Sequence, residues 1–173
     1  MNIYDPPAVN LRQFCRRKTS RFDIFLPWRL DDGRYCATNG SAMIVVEADQ
    51  YDGVFSARGH YPDVPLVLKP LEQIAEWHDL PKFTWCPKCR NIGMTEEFDD
   101  EVGDICETPC TCHVEIGNRT FCRTVSNLLL NLPNCKWGVV VDETTKDTPN
   151  EHFAVYFKFD GGVGSIMPVY DSE

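Results

Sequence analysis

Nine cysteines stand in this chain of 173 residues, and four of them form two close pairs. Cys86-Pro-Lys-Cys89 is a CxxC knuckle, in which two thiolates one turn apart can chelate the same ion. Cys110-Thr-Cys112 completes a set of four. Four thiolates around a tetrahedral Zn²⁺ make a closed structural site with no position left open for catalysis. The stretch between the pairs is polar and acidic from Glu96 to Asp104. It can bury little, so metal is its expected source of order. Cys106 and His113 stand close enough in sequence to replace one ligand. Two redox pairs or a disulfide are the alternative. An odd number of cysteines, with Cys15, Cys36, Cys122 and Cys135 lying singly in apolar surroundings, suits a reduced compartment and one metal site better. The single cysteines read as small buried hydrophobes.

Other chemistry is poorly supported. His60, His78, His113 and His152 have no acid or nucleophile at telling spacing, so no hydrolytic triad is expected. Asp99, Asp100 and Glu101 read as solvated charge rather than a hard-cation site. No glycine-rich loop cradles a phosphate. The chain is not expected to be an enzyme. Lys82, Lys88 and Arg90 favour nucleic acid at the cysteine ribbon and the acidic run opposes it, which leaves a structural or protein-contacting role.

The elements around the ribbon repeat. A helix is expected from about Ala8 to Ser20, with Ala8, Leu11, Phe14 and Cys15 on one side and Arg12, Gln13, Arg16 and Arg17 on the other. Strands follow at Asp23–Leu30, Arg34–Thr38 and Ala42–Glu47, turned by Asp31-Asp32-Gly33 and Asn39-Gly40. Proline-rich GHYPDVPLVLKP reads as an extended connector, with two helical turns at Leu71–His78. After the ribbon come a short strand at Val114–Ile116, a helix carrying Phe121, Val125, Leu128, Leu129 and Leu132, and a strand at Trp137–Glu143. The chain ends on a hairpin. Phe153, Val155, Phe157 and Phe159 alternate with polar or small residues, Asp160-Gly161-Gly162 reverses the chain, and Val163–Val169 returns. Helix plus three strands thus occurs twice. The expected fold is α+β, a domain of two helix-plus-three-strand halves at 1–66 and 114–173 with both helices on one side of an antiparallel sheet. Residues 67–113 form a connector and an inserted small zinc ribbon.

Hydrophobic residues make up 43% of the chain, enough to bury a core in one domain. No apolar run approaches the ~18 residues that span a bilayer, so no membrane partner is expected. The N-terminus lacks the features of a signal peptide, which makes a cytoplasmic protein the default. The formal charge is −9. Nevertheless Arg12, Arg16, Arg17, Lys18 and Arg21 crowd into one segment, which either meets nucleic acid locally or forms a solvated helix face.

Three local matches suggest a family. Tyr35–Met43, YCATNGSAM, resembles the "ATDGHRL" segment of the bacterial DNA polymerase sliding clamp, sharing Ala37, Thr38 and Gly40. GHYPDV at 59–64 resembles the clamp's "FPD" connector, and the closing VGSIMPVY resembles its C-terminal "VMPMRL". The chain is therefore identified as similar to the β-clamp superfamily over 1–66 and 114–173, as a short phage-like variant with an insertion. That resemblance implies a processivity factor whose basic helices meet duplex DNA without reading sequence. Phosphate contacts would fall to Arg12, Arg16, Arg17, Lys18 and Arg21, with Arg119 and Arg123 on the second helix. It also implies a hydrophobic cleft for replication or host proteins at Thr38, Met43, Ile166, Met167 and Pro168. A homo-oligomeric ring closed from one such domain per chain takes about six subunits in head-to-tail contact. Ser41, Ala42, Val169 and Tyr170 stand where the clamp carries basic residues, so the client motif differs. Two other readings compete: a clamp-fold inhibitor that engages a host protein through its acidic surface, and a zinc-ribbon module recruited to transcription.

Overall fold

The computed structural model describes residues 9–15, 22–90, 94–99, 104–110, 112–117, 119–140 and 154–168. Its strands, in chain order, are Trp28–Arg29 (β1), Tyr35–Thr38 (β2), Ala42–Val46 (β3), His78–Asp79 (β4), Met94–Asp99 (β5), Asp104–Pro109 (β6), His113–Ile116 (β7), Arg119–Cys122 (β8), Lys136–Gly138 (β9), Val155–Phe159 (β10) and Gly162–Ile166 (β11). The α-helices are Val64–Leu68 (α1) and Arg123–Leu130 (α2). A seven-stranded sheet runs β1-β2-β3-β11-β10-β9-β4, and β5-β6 and β7-β8 are separate two-stranded hairpins. All ladder pairings are antiparallel. The fold is α+β, as the patterning implies. Among the described residues no helix is long and apolar enough to cross a membrane.

The order of the large sheet places β1-β2-β3 beside β11-β10-β9, two three-stranded meanders joined back to back. The seam is β3–β11, in register from Ala42↔Ile166 to Val46↔Gly162. Each meander turns on residues that tolerate positive φ: Gly33 (φ +93), Gly40 (φ +92) and Gly161 (φ +93). Asn39 secures its turn by accepting from the Ser41 and Ala42 amides at 2.9 and 2.8 Å. At the seam the backbones approach closely. A Cβ on Gly164 would lie 2.2 Å from the Met43 carbonyl, which is why that position carries no side chain.

Both faces of the N-terminal meander are covered, so all five residues of β3 are buried instead of alternating. Ala42, Ile44 and Val46 join Val155, Phe157, Phe159 and Ile166 in the main core, capped by Leu11, Phe14, Phe121, Val125 and Leu129. On the opposite face Met43, Val45 and Cys36 pack with Ile24, Trp28 and Val64. The Trp28 and Tyr61 rings stack there at 4.8 Å.

Several local expectations are corrected. The helix over 8–20 is, in the described residues, one 3₁₀ turn at Leu11–Phe14, and Cys15 is already extended at ψ 149. Pro27 denies a ladder donor, so only Trp28–Arg29 of the first expected strand pairs. The proline-rich connector contains α1: Asp63 accepts the Leu66 amide at 3.1 Å and Pro65 occupies the first turn, both helix-start devices. The 3₁₀ turn Leu11–Phe14 and α2 both pack on the first core cluster, the shared face expected of the two helical segments, while the unforeseen α1 packs with the second cluster on the opposite face. Helical structure at 71–78 is confined to the end of a 3₁₀ turn, Lys69–Gln73, and His78–Asp79 instead forms the edge strand β4 on β9. Phe121 lies on the unforeseen strand β8, which leads straight into α2. Residues 16–21, 141–153 and 169–173, with the expectations placed on them, lie outside the described residues.

Candidate metal centre

The four paired cysteines meet. Their Sγ atoms all lie within 4.8 Å of one another, with Cys86···Cys110 at 3.9 Å and Cys89···Cys112 at 3.4 Å. A tetrahedron with metal–sulfur bonds of ~2.3 Å has edges of ~3.8 Å, so the cluster has the size of a thiolate cage. The separations exclude disulfide bonds, which need ~2.05 Å, and all four are free. Cys86, Cys89 and Cys110 are buried and Cys112 is partly exposed.

Local structure explains the convergence. The chain turns through residues 87–90, with Arg90 at φ +49 closing the first knuckle. The hairpin β5–β6, in register from Met94↔Pro109 to Asp99↔Asp104, then returns the chain to Cys110. Cys112 leads directly into β7. The two cysteine pairs therefore sit at the base of one hairpin. Their buried cluster contains cysteines alone, and the four together could hold a metal ion. His113 is exposed and outside this group, and the Cys106 side chain lies outside the described residues.

The thiols are not equivalent. The Cys89 backbone N–H holds Cys86 down to about 6, helped by hydrogen bonds from Cys112, from the Cys89 thiol and from the Lys88 amide. Burial pushes Cys112 up to about 12, reinforced by its hydrogen bonds to the other three cysteines. By contrast, burial alone pushes up Cys135, to about 12, and is the main cause that raises Cys15, to about 11. Cys36 is also raised by burial. Of the four single cysteines only Cys36 is fully buried as expected, while Cys15, Cys122 and Cys135 are half-buried against the main core.

The basic residues are distributed differently from expectation. Arg12 is exposed on the 3₁₀ turn, while Arg16, Arg17, Lys18 and Arg21 lie outside the described residues. Arg119 and Arg123 are corrected: each is only 2% exposed, so neither offers its charge to a phosphate as the protein stands. Arg119 lies beside Tyr156. The Arg123 Nη2 donates to the Thr84 carbonyl at 2.7 Å. The helix wheel places both off the apolar stripe. However, the segment carrying Thr84 folds back over Arg123, which spacing along one helix does not show, and Arg119 lies on β8 rather than on the helix.

The expected partner-binding residues divide between two places. Thr38, Met43 and Met167 line a groove of about 500 Å³ with Phe22, Val67 and Ser165. Thr38 shapes its rim, donating to the Ala42 carbonyl at 2.6 Å and accepting the Gly40 amide at 3.1 Å. The Met167 amide donates to the Ser41 carbonyl at 2.8 Å, which fastens the end of β11 to the same turn. Ile166 is corrected: period-2 alternation sends it to the other face, where it is fully buried in the main core. Pro168 is buried and does not line the groove. The same alternation points to Ser165, a lining residue that motif matching passed over. No family model, no curated protein and no solved structure matches the chain.

Proposed function

We propose that the chain is a non-enzymatic, sliding-clamp-like docking protein whose groove takes an apolar segment of a replication or host protein. One observation carries the reading. Thr38, Met43 and Met167, named by two short motifs far apart in the sequence, line one groove. Methionine is soft and adaptable, suited to peptide binding, and Met167 is 39% exposed at the edge. The back-to-back meanders agree with a doubled clamp-like unit.

Zn²⁺ is the metal that four thiolates in tetrahedral spacing favour, and with all positions filled its role is structural. Lys88 and Arg90 aside, the ribbon then serves as a scaffold or protein contact. A second reading, sequence-independent attraction to duplex DNA, rests on Arg12 and the adjacent basic segment, because Arg119 and Arg123 are buried. Ring assembly from several copies belongs to the same reading, and a monomer in light scattering removes the ring while leaving the groove intact.

The test uses peptides selected from a random library on the wild-type chain. Binders should compete with one another and lose affinity for Met167→Glu, which alters an exposed position. Binders indifferent to that change remove the groove from the proposal. For the DNA reading, fluorescence anisotropy with a duplex oligonucleotide at several salt concentrations should show affinity falling with salt and with Arg12, Arg16 and Arg17 changed to Glu. No binding at low salt rejects it.

A further inference from the structure

Arg123 opens α2 and is a long cation held 2% exposed. Burying such a charge is strongly unfavourable unless an anion compensates it. Among the described residues no carboxylate forms an ion pair with it. One guanidinium nitrogen donates to the Thr84 carbonyl, and Nε is buried with no hydrogen-bond partner among the described residues. Toward the ribbon the neighbour is sulfur: the β7–β8 register, with His113 opposite Cys122, sets Cys112 across from Arg123, and Arg123 is among the groups that act on the Cys112 thiol.

Chain geometry makes this placement specific. Thr84 lies two positions before Cys86. Cys112 leads into β7, where His113 pairs with Cys122, the residue that precedes Arg123. The guanidinium thus bridges the segment entering the first knuckle and the strand leaving the second. A dication bound by four thiolates carries a net double negative charge, and N–H donors aimed at ligand sulfur spread that charge and fix the ligand's orientation.

We propose that Arg123 is the positioning residue of the metal centre: its buried guanidinium is the counter-charge to the four-thiolate ion and ties the first knuckle to α2. The inference rests on the reading that Cys86, Cys89, Cys110 and Cys112 hold a metal. By linkage, the metal stabilises the burial of Arg123, and Arg123 strengthens retention of the metal to the same extent.

The test compares the full chain with Arg123→Met, Arg123→Gln and Arg123→Lys, each loaded with Zn²⁺ or Co²⁺. Chelator competition reads affinity, and the Co²⁺ spectrum reads the ligand set. Arg123→Met should weaken metal binding by about 10- to 100-fold, the usual effect of an outer-shell partner. Its Co²⁺ bands should keep the signature of four sulfurs. Retention should rank Arg, then Lys, then Gln, because Gln keeps a donor and loses the charge. If Arg123→Met does not fold, that ranking decides alone. Wild-type affinity in Arg123→Met, or Gln equal to Arg, overturns the counter-charge role while leaving the metal site standing. A wild-type chain that binds no stoichiometric metal overturns the metal reading itself, and this inference with it.

Discussion

The large sheet and the cysteine ribbon are ordered by different forces. Around β3, β10 and β11 the interior is hydrocarbon, with Ile44, Phe157 and Ile166 fully buried and Phe121 and Leu129 closing the layer above. Burial of apolar area stabilises such a core without any ligand. The buried cluster at the ribbon's base is only its own cysteines. A hairpin of twelve paired residues, Met94–Asp99 with Asp104–Pro109, is marginal in isolation. Removing each support in turn should dissolve one region and spare the other.

The largest effect should come from taking the metal away. Binding to structural thiolate sites contributes roughly 10 kcal/mol or more to the local fold. Chelation, or Cys86→Ser, should therefore release about one metal per chain and abolish amide protection over 94–109. Protection in β3, β10 and β11 should persist. Hydrogen exchange checks this directly. Loss of protection in the sheet at the same chelator concentration would show that ribbon and sheet form one cooperative unit.

The converse perturbation is Phe157→Ala. Phe157 is fully buried at the centre of β10, against Phe159 in the same core. Truncation should cost about 3–5 kcal/mol, read as a lower denaturant midpoint for the sheet. Metal stoichiometry in the folded variant should stay unchanged. A smaller loss is expected for Gly164→Ala, about 1–3 kcal/mol from overpacking, because the new methyl meets the Met43 carbonyl and the Phe157 ring. A neutral result there would mean that the β3–β11 seam can open without cost, and would weaken the contrast with the ribbon.

The two regions also differed in what the sequence disclosed. The meeting of the ribbon's four cysteines was legible because CxxC and CxC are local spacings, and the protein needs only a return hairpin to join them. The alternation of Val155, Phe157 and Phe159 and the turn glycines 33, 40 and 161 were legible for the same reason. The seam between Ala42–Val46 and Gly162–Ile166 was not, since nothing within either strand specifies a partner so distant in the chain. Long-range folding also hid the fate of Arg119 and Arg123. Their charge suggested solvent, whereas the segment carrying Thr84 folds against Arg123. Helix α1 was hidden differently. Asp63 and Pro65 are start signals, but the surrounding prolines suggested extended chain.

Acid offers the finest test of the comparison. A metal held by thiolates is released as pH falls, because protons compete for sulfur. The sheet's exposed turn at Asp31-Asp32-Gly33 responds later and more weakly. Asp32 is held below the ordinary aspartate range by the Arg34 side-chain hydrogen bond first, and then by the Arg34 backbone N–H. Its ion pair with Arg34 spans 2.7 Å. A depressed folded pKa gives stability that is complete above the ordinary aspartate value and lost as pH drops through the lowered value. Both partners are more than a third exposed, so the contribution should stay below about 0.5 kcal/mol. Asp32→Asn keeps an acceptor for the Arg34 amide and removes only the charge. Its denaturant midpoint for the sheet should lie slightly below wild type at neutral pH and coincide with it in strong acid, after the metal has already been released. If the two proteins separate further as acid is added, the turn is held by something other than this pair.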